Sequence, residues 1–139
     1  MKAVNIALPK GRLGEKVYEM LRNAGFKCPE INKSDRRLIF ESDDGLLRYF
    51  WVKPSDVAIY VERGAADIGV VGKDILLEYT PDVYELLDLN LGKCDFALAT
   101  KKGTDFFDGF NTKRIASKYP NVTKAYFEGK GMDVKIIKI

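Results

Sequence analysis

The sequence predicts an α/β protein built on an open, largely parallel sheet. Residues 5–8 form an apolar strand that runs into a glycine-containing turn and a helical pattern, and residues 66–76 repeat this order of strand, turn and helix. Asp43-Asp44-Gly45 separates two apolar runs, as in a β-hairpin. The 139 residues are 46% hydrophobic, so the chain can bury enough surface to fold without a disulfide or a metal.

The first helix follows the opening strand directly. Its apolar positions recur at helical spacing, and Gly25 follows them where a left-handed residue commonly ends a helix. These positions are Leu13, Val17, Met20, Leu21 and Ala24. The hairpin then joins a strand at residues 38–42 to an aromatic-rich strand at residues 46–52.

A second helix is predicted to begin at Pro54, which fixes the φ angle of a first helical turn, and to end at Gly64. Its inner face is predicted to carry Val57, Tyr60 and Val61. Residues 66–72 are small or β-branched and are bounded by glycine, which indicates a central parallel strand. A third helix is predicted from residue 73.

The second half of the chain predicts a separate lobe. We place the boundary where an extended stretch ends, so that residues 1–91 form the first α/β lobe and residues 92–139 the second. The second lobe is predicted to contain strands at residues 95–100, 114–119 and 134–139. A helix opened by Pro120 is expected to carry Val122, Ala125 and Tyr126 on its apolar face.

The turn after the first strand has the character of an anion site. Lys10-Gly11-Arg12 brings two charges and a flexible backbone to the start of a helix, whose N–H groups and dipole attract anions. This motif alone is also compatible with a second interpretation, in which the basic turn only caps the strand and binds no ligand. Gly72-Lys73-Asp74 forms a second such turn, in which Asp74 is either the N-cap of the third helix or a ligand group. Both turns lie at carboxyl ends of strands, where ligands of open α/β sheets collect.

Composition excludes several kinds of chemistry. The sequence has no histidine, which excludes Ser-His-Asp and Cys-His nucleophiles and HExxH zinc sites. With 23 basic and 20 acidic residues, it lacks the concentrated basic face of a nucleic-acid-binding protein. No apolar run approaches the roughly 20 residues of a membrane span. Cys28 and Cys94 have no CxxC spacing and are interpreted as reduced thiols. We therefore expect a cytoplasmic protein with no protein-bound metal and no nucleic-acid or membrane partner.

Four segments, in this order, resemble the ATP phosphoribosyltransferases. They are Ala7-Leu8-Pro9-Lys10-Gly11-Arg12-Leu13, Asp35-Arg36-Arg37-Leu38, Asp67-Ile68-Gly69-Val70-Val71-Gly72-Lys73-Asp74 and Arg114-Ile115-Ala116-Ser117-Lys118-Tyr119-Pro120-Asn121-Val122. The resemblance covers all 139 residues and is to the short form, which lacks a regulatory domain and works with a separate subunit resembling histidyl-tRNA synthetase. It implies a homo-oligomer and a two-lobed α/β fold similar to type II periplasmic binding proteins, with the site in the cleft between the lobes.

The resemblance also implies the first reaction of histidine biosynthesis. N1 of ATP attacks C1 of phosphoribosyl pyrophosphate, and pyrophosphate leaves with Mg²⁺. By resemblance, the catalytic residues on the pyrophosphate side are Lys10, Arg36 and Lys53. The residues implied to bind substrate are Gly11, Arg12, Gly72 and Asp74 in the floor of the site, and Arg114 and Lys118 on the ATP side.

The chain departs from the family pattern at its end. The family's phosphoribosyl pyrophosphate loop, an acidic-Thr-Gly-x-Thr turn followed by strands that return to the first lobe, comes after residue 139. The resemblance therefore implies an incomplete second lobe, a first lobe without its return strands, and no activity for this chain alone.

Two other classes of function stay open. A non-catalytic module of the periplasmic-binding kind would bind a small anion or nucleotide without needing Mg²⁺. An interaction protein would use the strand at residues 134–139 to pair with another chain. This hypothesis does not explain the two basic turns.

Overall fold

A computed structural model describes residues 2–32 and 36–139. The chain divides into two compact units. Unit 1 comprises Met1–Leu76 and Thr80–Gly92, and unit 2 comprises Leu77–Tyr79 and Lys93–Ile139. The predicted boundary at residues 91 and 92 stays a prediction.

Unit 1 is built on a four-stranded sheet in the order β2-β3-β1-β4. β1 (Val4–Pro9) runs parallel to both of its neighbours, β3 (Leu47–Val52) and β4 (Ile68–Gly69). β2 (Ile39–Glu41) is antiparallel to β3 and joins it through the predicted hairpin. The three parallel strands therefore end at one edge of the sheet.

Helices follow the parallel strands, as predicted. α1 (Arg12–Asn23) follows β1, and Gly25 lies just beyond it with a φ of 107°. α2 (Val57–Glu62) follows β3 after a 3₁₀ turn at Pro54–Asp56, and α3 (Lys73–Tyr79) follows β4. A further 3₁₀ helix spans Pro29–Asn32.

The core of unit 1 lies on both faces of the sheet. Because side chains alternate along a strand, Ile6 and Leu8 enter one buried cluster while Ala7 enters the other. The first cluster includes Val17 and Tyr18 of α1 together with Tyr49 of β3, and the second includes Val52, Val57 and Ala66.

Unit 2 contains a parallel pair of strands and one long helix. β5 (Lys113–Ser117) pairs with β6 (Val134–Lys138), and α4 (Pro120–Gly129) connects them. Ile115 and Phe127 are its buried apolar residues among those described. Residues 93–112 form no helix or strand, so the strand predicted at residues 95–100 is wrong.

The structure corrects three further details. Tyr60 is 39% exposed, because α2 begins only after the 3₁₀ turn and turns Ala58 inward instead. In α4, Ala125 and Tyr126 are exposed and Phe127 is buried. β4 is not central: in the described sheet it forms an edge of two residues, because it pairs with β1 alone.

The two cysteines are unpaired, Cys28 buried and Cys94 exposed. Within the described ranges, no helix is both long and apolar enough to cross a membrane.

Candidate functional site

The carboxyl edge of the unit 1 sheet gathers the predicted residues of that unit. Lys10 follows β1 and Lys53 follows β3, and the parallel register pairs Pro9 with Val52. The Lys10 N–H donates to the Val52 carbonyl at 2.8 Å. The two lysines therefore start from neighbouring strands, whose backbones are about 4.8 Å apart.

Arg36 reaches the same edge by a different route. β2 runs antiparallel to β3, so the beginning of β2 lies beside the end of β3. The Trp51 N–H donates to the Leu38 carbonyl at 2.8 Å, which places Arg36 beyond the last residues of β3. Arg36, Lys53 and Lys10 are exposed, and none of them has a side-chain hydrogen bond or ion pair among the described residues. Asp35, the first residue of the predicted segment, lies outside those residues.

The turn at Gly11 leaves a helix start open beside these cations. Gly11 has a φ of 107°, which favours glycine, and it occupies the N-cap of α1 without a side chain that could cap the first N–H groups. Arg12 is exposed in the first turn of α1. The helix start and Arg12 therefore add positive potential to the carboxyl edge.

Gly14 brings α1 close to the edge. A Cβ there would lie 2.5 Å from Cζ3 of Trp51 and closer still to the Pro9 carbonyl oxygen. Glycine therefore allows α1 to start immediately after β1. From the sequence, Gly14 is expected, like Gly11, to take a positive φ and to let the backbone approach a ligand. Gly11 has that φ, but Gly14 lies inside α1 without it, and its close neighbours are Pro9 and Trp51.

The second glycine turn borders the same edge. Val70 N–H donates to the Ala7 carbonyl at 3.0 Å, so the chain leaves β4 next to the end of β1. Gly72, not Asp74, is the N-cap of α3, so the interpretation of Asp74 as the N-cap is wrong. Asp74 lies half-buried in the first turn, and a Cβ on Gly72 would collide with its carboxylate.

Lys73 forms an ion pair that the sequence did not reveal. Its Nζ donates to Oε2 of Glu85 at 2.6 Å, and both side chains are more than half exposed. Glu85 lies twelve residues further along the chain, in a stretch without helix or strand, so no local spacing could have predicted the pair.

Arg114 and Lys118 lie in unit 2. Arg114 is the second residue of β5, and Lys118 follows the end of that strand. Both are exposed. Four residues of extended chain separate them by about 13 Å, so the structure places them along one strand and not at one point.

Sequence analysis missed a residue that contacts the start of α4, just after Lys118. Glu78, at the end of α3, is 3% exposed, and its carboxylate accepts backbone N–H groups at the start of α4. A signal was present: Glu78 lies three residues after the buried Ile75, on the same face of a helix.

The arrangement in unit 1 suits a polyanion. Three exposed cations and an uncapped helix start meet at one edge of a sheet, where fixed positive charge stabilises phosphate groups. Within the described residues, no group of three or more Cys, Asp or Glu side chains converges as a metal site. Fold and site together are typical of the α/β proteins that bind phosphorylated ligands at strand ends.

Comparison with known proteins narrows this class. The family model described as "HisG: ATP phosphoribosyltransferase" matches residues 53–139. The chain therefore belongs to the ATP phosphoribosyltransferase family, as the four segments predicted. The enzymes of that name from Clostridium novyi (strain NT) and Clostridium acetobutylicum are 50% and 51% identical to it over 141 and 138 residues.

A solved structure agrees with the family. The "ATP phosphoribosyl transferase (HisG:HisZ) complex from Thermotoga maritima" is similar with a TM-score of 0.69 and 34% identity, over 98% of this chain and 63% of that one. The α/β fold class, of the type II periplasmic binding protein kind, is therefore confirmed. The chain covers 66% and 64% of the two clostridial relatives, and thus spans slightly less than two thirds of their length.

Proposed function

We propose that the protein is the catalytic subunit of a short-form ATP phosphoribosyltransferase. It transfers the 5-phosphoribosyl group from phosphoribosyl pyrophosphate to N1 of ATP, the first step of histidine biosynthesis. The observation that carries the proposal is the meeting of Arg36, Lys53 and Lys10 at the carboxyl edge of the unit 1 sheet. The alternative of a non-catalytic binding module is not favoured, because the relatives are named as transferases.

The proposed chemistry is mainly electrostatic. The C1–O bond to pyrophosphate breaks, the C1–N1 bond forms, and negative charge develops on the leaving oxygens. Lys10, Arg36 and Lys53 stabilise that charge, because cations fixed before the reaction act most strongly where charge develops. N1 of adenine attacks through a lone pair, so the step requires no histidine base.

The two glycine turns form the floor of the proposed site. Gly11 lets the backbone approach the phosphates closely, and Arg12 adds a charge at the start of α1. Gly72 and Asp74 line the same edge from the end of β4. Arg114 and Lys118 of unit 2 are proposed to bind ATP.

Mg²⁺ is proposed to arrive with phosphoribosyl pyrophosphate. At phosphate-transfer sites, Mg²⁺ keeps several waters and takes its other ligands from substrate phosphates and one or two carboxylates. The predicted site residues fit this pattern, because they include one carboxylate, Asp74, in the first turn of α3. When bound, the ion neutralises part of the charge on the leaving pyrophosphate.

The partners follow from the family and stay predictions. The Thermotoga maritima structure is a HisG:HisZ complex, and we propose that this protein likewise works with a regulatory subunit resembling histidyl-tRNA synthetase. We also propose a homo-oligomer. A cytoplasmic location is proposed from the biosynthetic reaction and from the two unpaired cysteines.

The proposal is tested with Arg36→Ala in the complete gene product, assayed with its regulatory subunit. Formation of phosphoribosyl-ATP from ATP and phosphoribosyl pyrophosphate is followed chromatographically. Loss of a charge-assisted hydrogen bond contributing about 1.5 to 3 kcal/mol lowers kcat roughly 10- to 100-fold. The effect falls on kcat because the charge on pyrophosphate develops during the reaction.

Arg37→Ala is the matched control. The adjacent Arg37 donates to Oε2 of Glu30 at 2.7 Å and lies 5.4 Å from the centre of the Phe40 ring, so it is held by the protein. Its kcat is expected to stay within about twofold of wild type. A wild-type protein that makes no phosphoribosyl-ATP contradicts the proposed function, whereas an unchanged kcat in Arg36→Ala contradicts the role of Arg36 alone.

A further inference from the structure

Glu78 is the one buried charged side chain of the described residues, at 3% exposure. Oε1 accepts the Asn121 N–H at 3.1 Å, and Oε2 accepts the Val122 N–H at 3.0 Å. The Asn121 side chain donates in turn to the Glu78 carbonyl at 2.9 Å. All of these residues belong to unit 2.

These contacts make Glu78 the cap of α4. The N-cap residue of α4, Tyr119, makes no side-chain capping bond, and Pro120 in the first position has no N–H. The next two N–H groups would be without partners if Glu78 were absent. A buried carboxylate needs compensation, and the positive end of a ten-residue helix provides it. Glu78 thus occupies the place at a helix start where other proteins bind a phosphate.

The same turn carries the exposed Lys118. On one side of it, Ser117 Oγ accepts the Tyr119 N–H at 3.0 Å. Thr123 Oγ1 lies 2.8 Å from Ser117 Oγ and 2.7 Å from the Tyr119 carbonyl oxygen, and links this turn to the first turn of α4. On the other side, Glu78 fixes the start of α4 itself. The backbone around Lys118 is therefore held from both sides while its side chain faces solvent.

We propose that Glu78 is a positioning residue for ATP. Its carboxylate occupies the start of α4 and so fixes the turn that carries Lys118. The side chain of Lys118, and not the helix start, then binds ATP. This inference rests on the proposed function, in which Lys118 binds ATP. Glu78 itself touches no substrate.

The test compares Glu78→Gln and Glu78→Ala in the complete gene product with its regulatory subunit. Glutamine keeps the size of the side chain but offers one acceptor oxygen, whereas alanine offers none. We expect the KM for ATP to rise about tenfold in Glu78→Ala, corresponding to the loss of hydrogen bonds to a charged group, and by less in Glu78→Gln. The KM for phosphoribosyl pyrophosphate and the kcat are expected to stay within about twofold of wild type, because the interaction lost is made equally in ground and transition states.

Phe127→Leu separates positioning from stability. Phe127 is buried in α4 at 2% exposure but makes none of the hydrogen bonds around Lys118. This variant should lower the melting temperature while leaving the KM for ATP unchanged. Amide hydrogen exchange at Asn121 and Val122 gives a readout without activity, and should accelerate in Glu78→Gln but not in Phe127→Leu. It remains available if Glu78→Ala fails to fold.

Lys118→Ala distinguishes the proposed ATP-binding role of Lys118 from the proposed positioning role of Glu78. If it raises the KM for ATP while both Glu78 variants leave that KM unchanged or lower it, the inference is overturned and the proposed function stands. A KM for ATP unaffected by Lys118→Ala overturns both the ATP role of Lys118 and the inference. If the KM for ATP rises equally in Phe127→Leu, Glu78 acts through stability and the inference is also overturned.

Discussion

Tyr49 is a buried phenol that makes the fold sensitive to alkali. It is fully buried, its ring packs edge-on against Tyr18 at 5.6 Å, and its hydroxyl donates to the Phe26 carbonyl at 3.0 Å. Burial raises the pKa of Tyr49 to about 12, with a smaller contribution from Tyr18. The folded state therefore disfavours the phenolate.

We expect the stability that Tyr49 contributes to be fully present below about pH 10 and to be lost as the pH rises towards 12, because the pKa is higher in the folded than in the unfolded state. The shift corresponds to roughly 2 to 3 kcal/mol of free energy of unfolding. Urea unfolding at pH 8 and pH 11 measures the part lost by pH 11, which is roughly half of it. Tyr49→Phe should be less stable than wild type at pH 8 and should lose less stability between the two pH values. Equal losses in both proteins would contradict this role.

Single residues show where sequence analysis fails at this scale. A helix that begins at Pro54 predicts Tyr60 on its inner face, but the 3₁₀ turn before α2 changes which side chains face inward. A glutamate is rarely fully buried, yet a helix start that is distant in sequence compensates the charge of Glu78. Both errors concern geometry or partners that local spacing does not contain.

At the level of elements, Asp67 joins the beginnings of β1 and β4. Its Oδ2 accepts the Asn5 backbone N–H at 2.8 Å and the Asn5 side chain at 2.9 Å, and its own N–H donates to the Asn5 carbonyl at 2.9 Å. The backbone bond from Asn5, followed by the side-chain bond, lowers the pKa of Asp67 below its usual value. The carboxylate thus supports a strand pairing of only two residue pairs.

A lowered pKa in the folded state means that Asp67 stabilises the protein above its unfolded pKa near 4 and that this contribution disappears as the pH falls through the folded value. Asp67→Ala should therefore melt at a lower temperature than wild type at pH 7, and the difference should shrink towards pH 3. Thermal melts at both pH values measure it. Asp133→Ala, at an exposed position, is the control and should change the melting temperature little. A difference independent of pH would contradict the role of the carboxylate.

Elements of unit 1 were largely predictable because their ends are encoded locally. Gly25, Gly64 and the Asp43-Asp44-Gly45 turn have positive φ angles or tight turns at the predicted positions. The strand predicted at residues 95–100 failed for the opposite reason. Its residues have the composition of a strand, but a strand also needs a hydrogen-bonding neighbour, and the described residues supply none there.

At the level of the whole molecule, we expect the protein to bind free pyrophosphate through the cations at the carboxyl edge of the unit 1 sheet. The chain carries a net charge of only +3, so binding must depend on the local arrangement of cations. Pyrophosphate at 100 times its dissociation constant stabilises the folded protein by about 2.7 kcal/mol, which raises the melting temperature by several degrees.

Lys10→Ala and Lys53→Ala should each lose most of this rise in melting temperature. Arg48→Ala should keep it, because Arg48 lies near the amino end of β3 and pairs with Glu41 at 2.7 Å, away from the carboxyl edge. Differential scanning fluorimetry with and without pyrophosphate measures the effect. An equal loss in all three variants would show that net charge, and not the edge, attracts the anion.

The candidate site was predictable in part. The glycine turns after β1 and β4 follow from the sequence, because each is a strand, turn and helix in immediate succession. Arg36 was proposed by resemblance alone, since its place at the same edge depends on the antiparallel pairing of β2. The separation of Arg114 from Lys118 also follows from the sequence, because residues 114–119 are predicted to form a strand, and β5 covers Lys113–Ser117.

The parallel pairing of β1 also has a consequence for synthesis on the ribosome. Val4 pairs with Leu47, and Ile6 pairs with Ile68, so β1 leaves the ribosome long before either of its neighbours. At about 5 to 20 residues per second, the nascent strand waits roughly 2 to 10 s for β3 with its apolar residues unprotected. Slow codons translated between the emergence of β1 and the emergence of β3 prolong this exposure and favour capture by chaperones or aggregation, whereas slow codons translated after β4 has emerged do not.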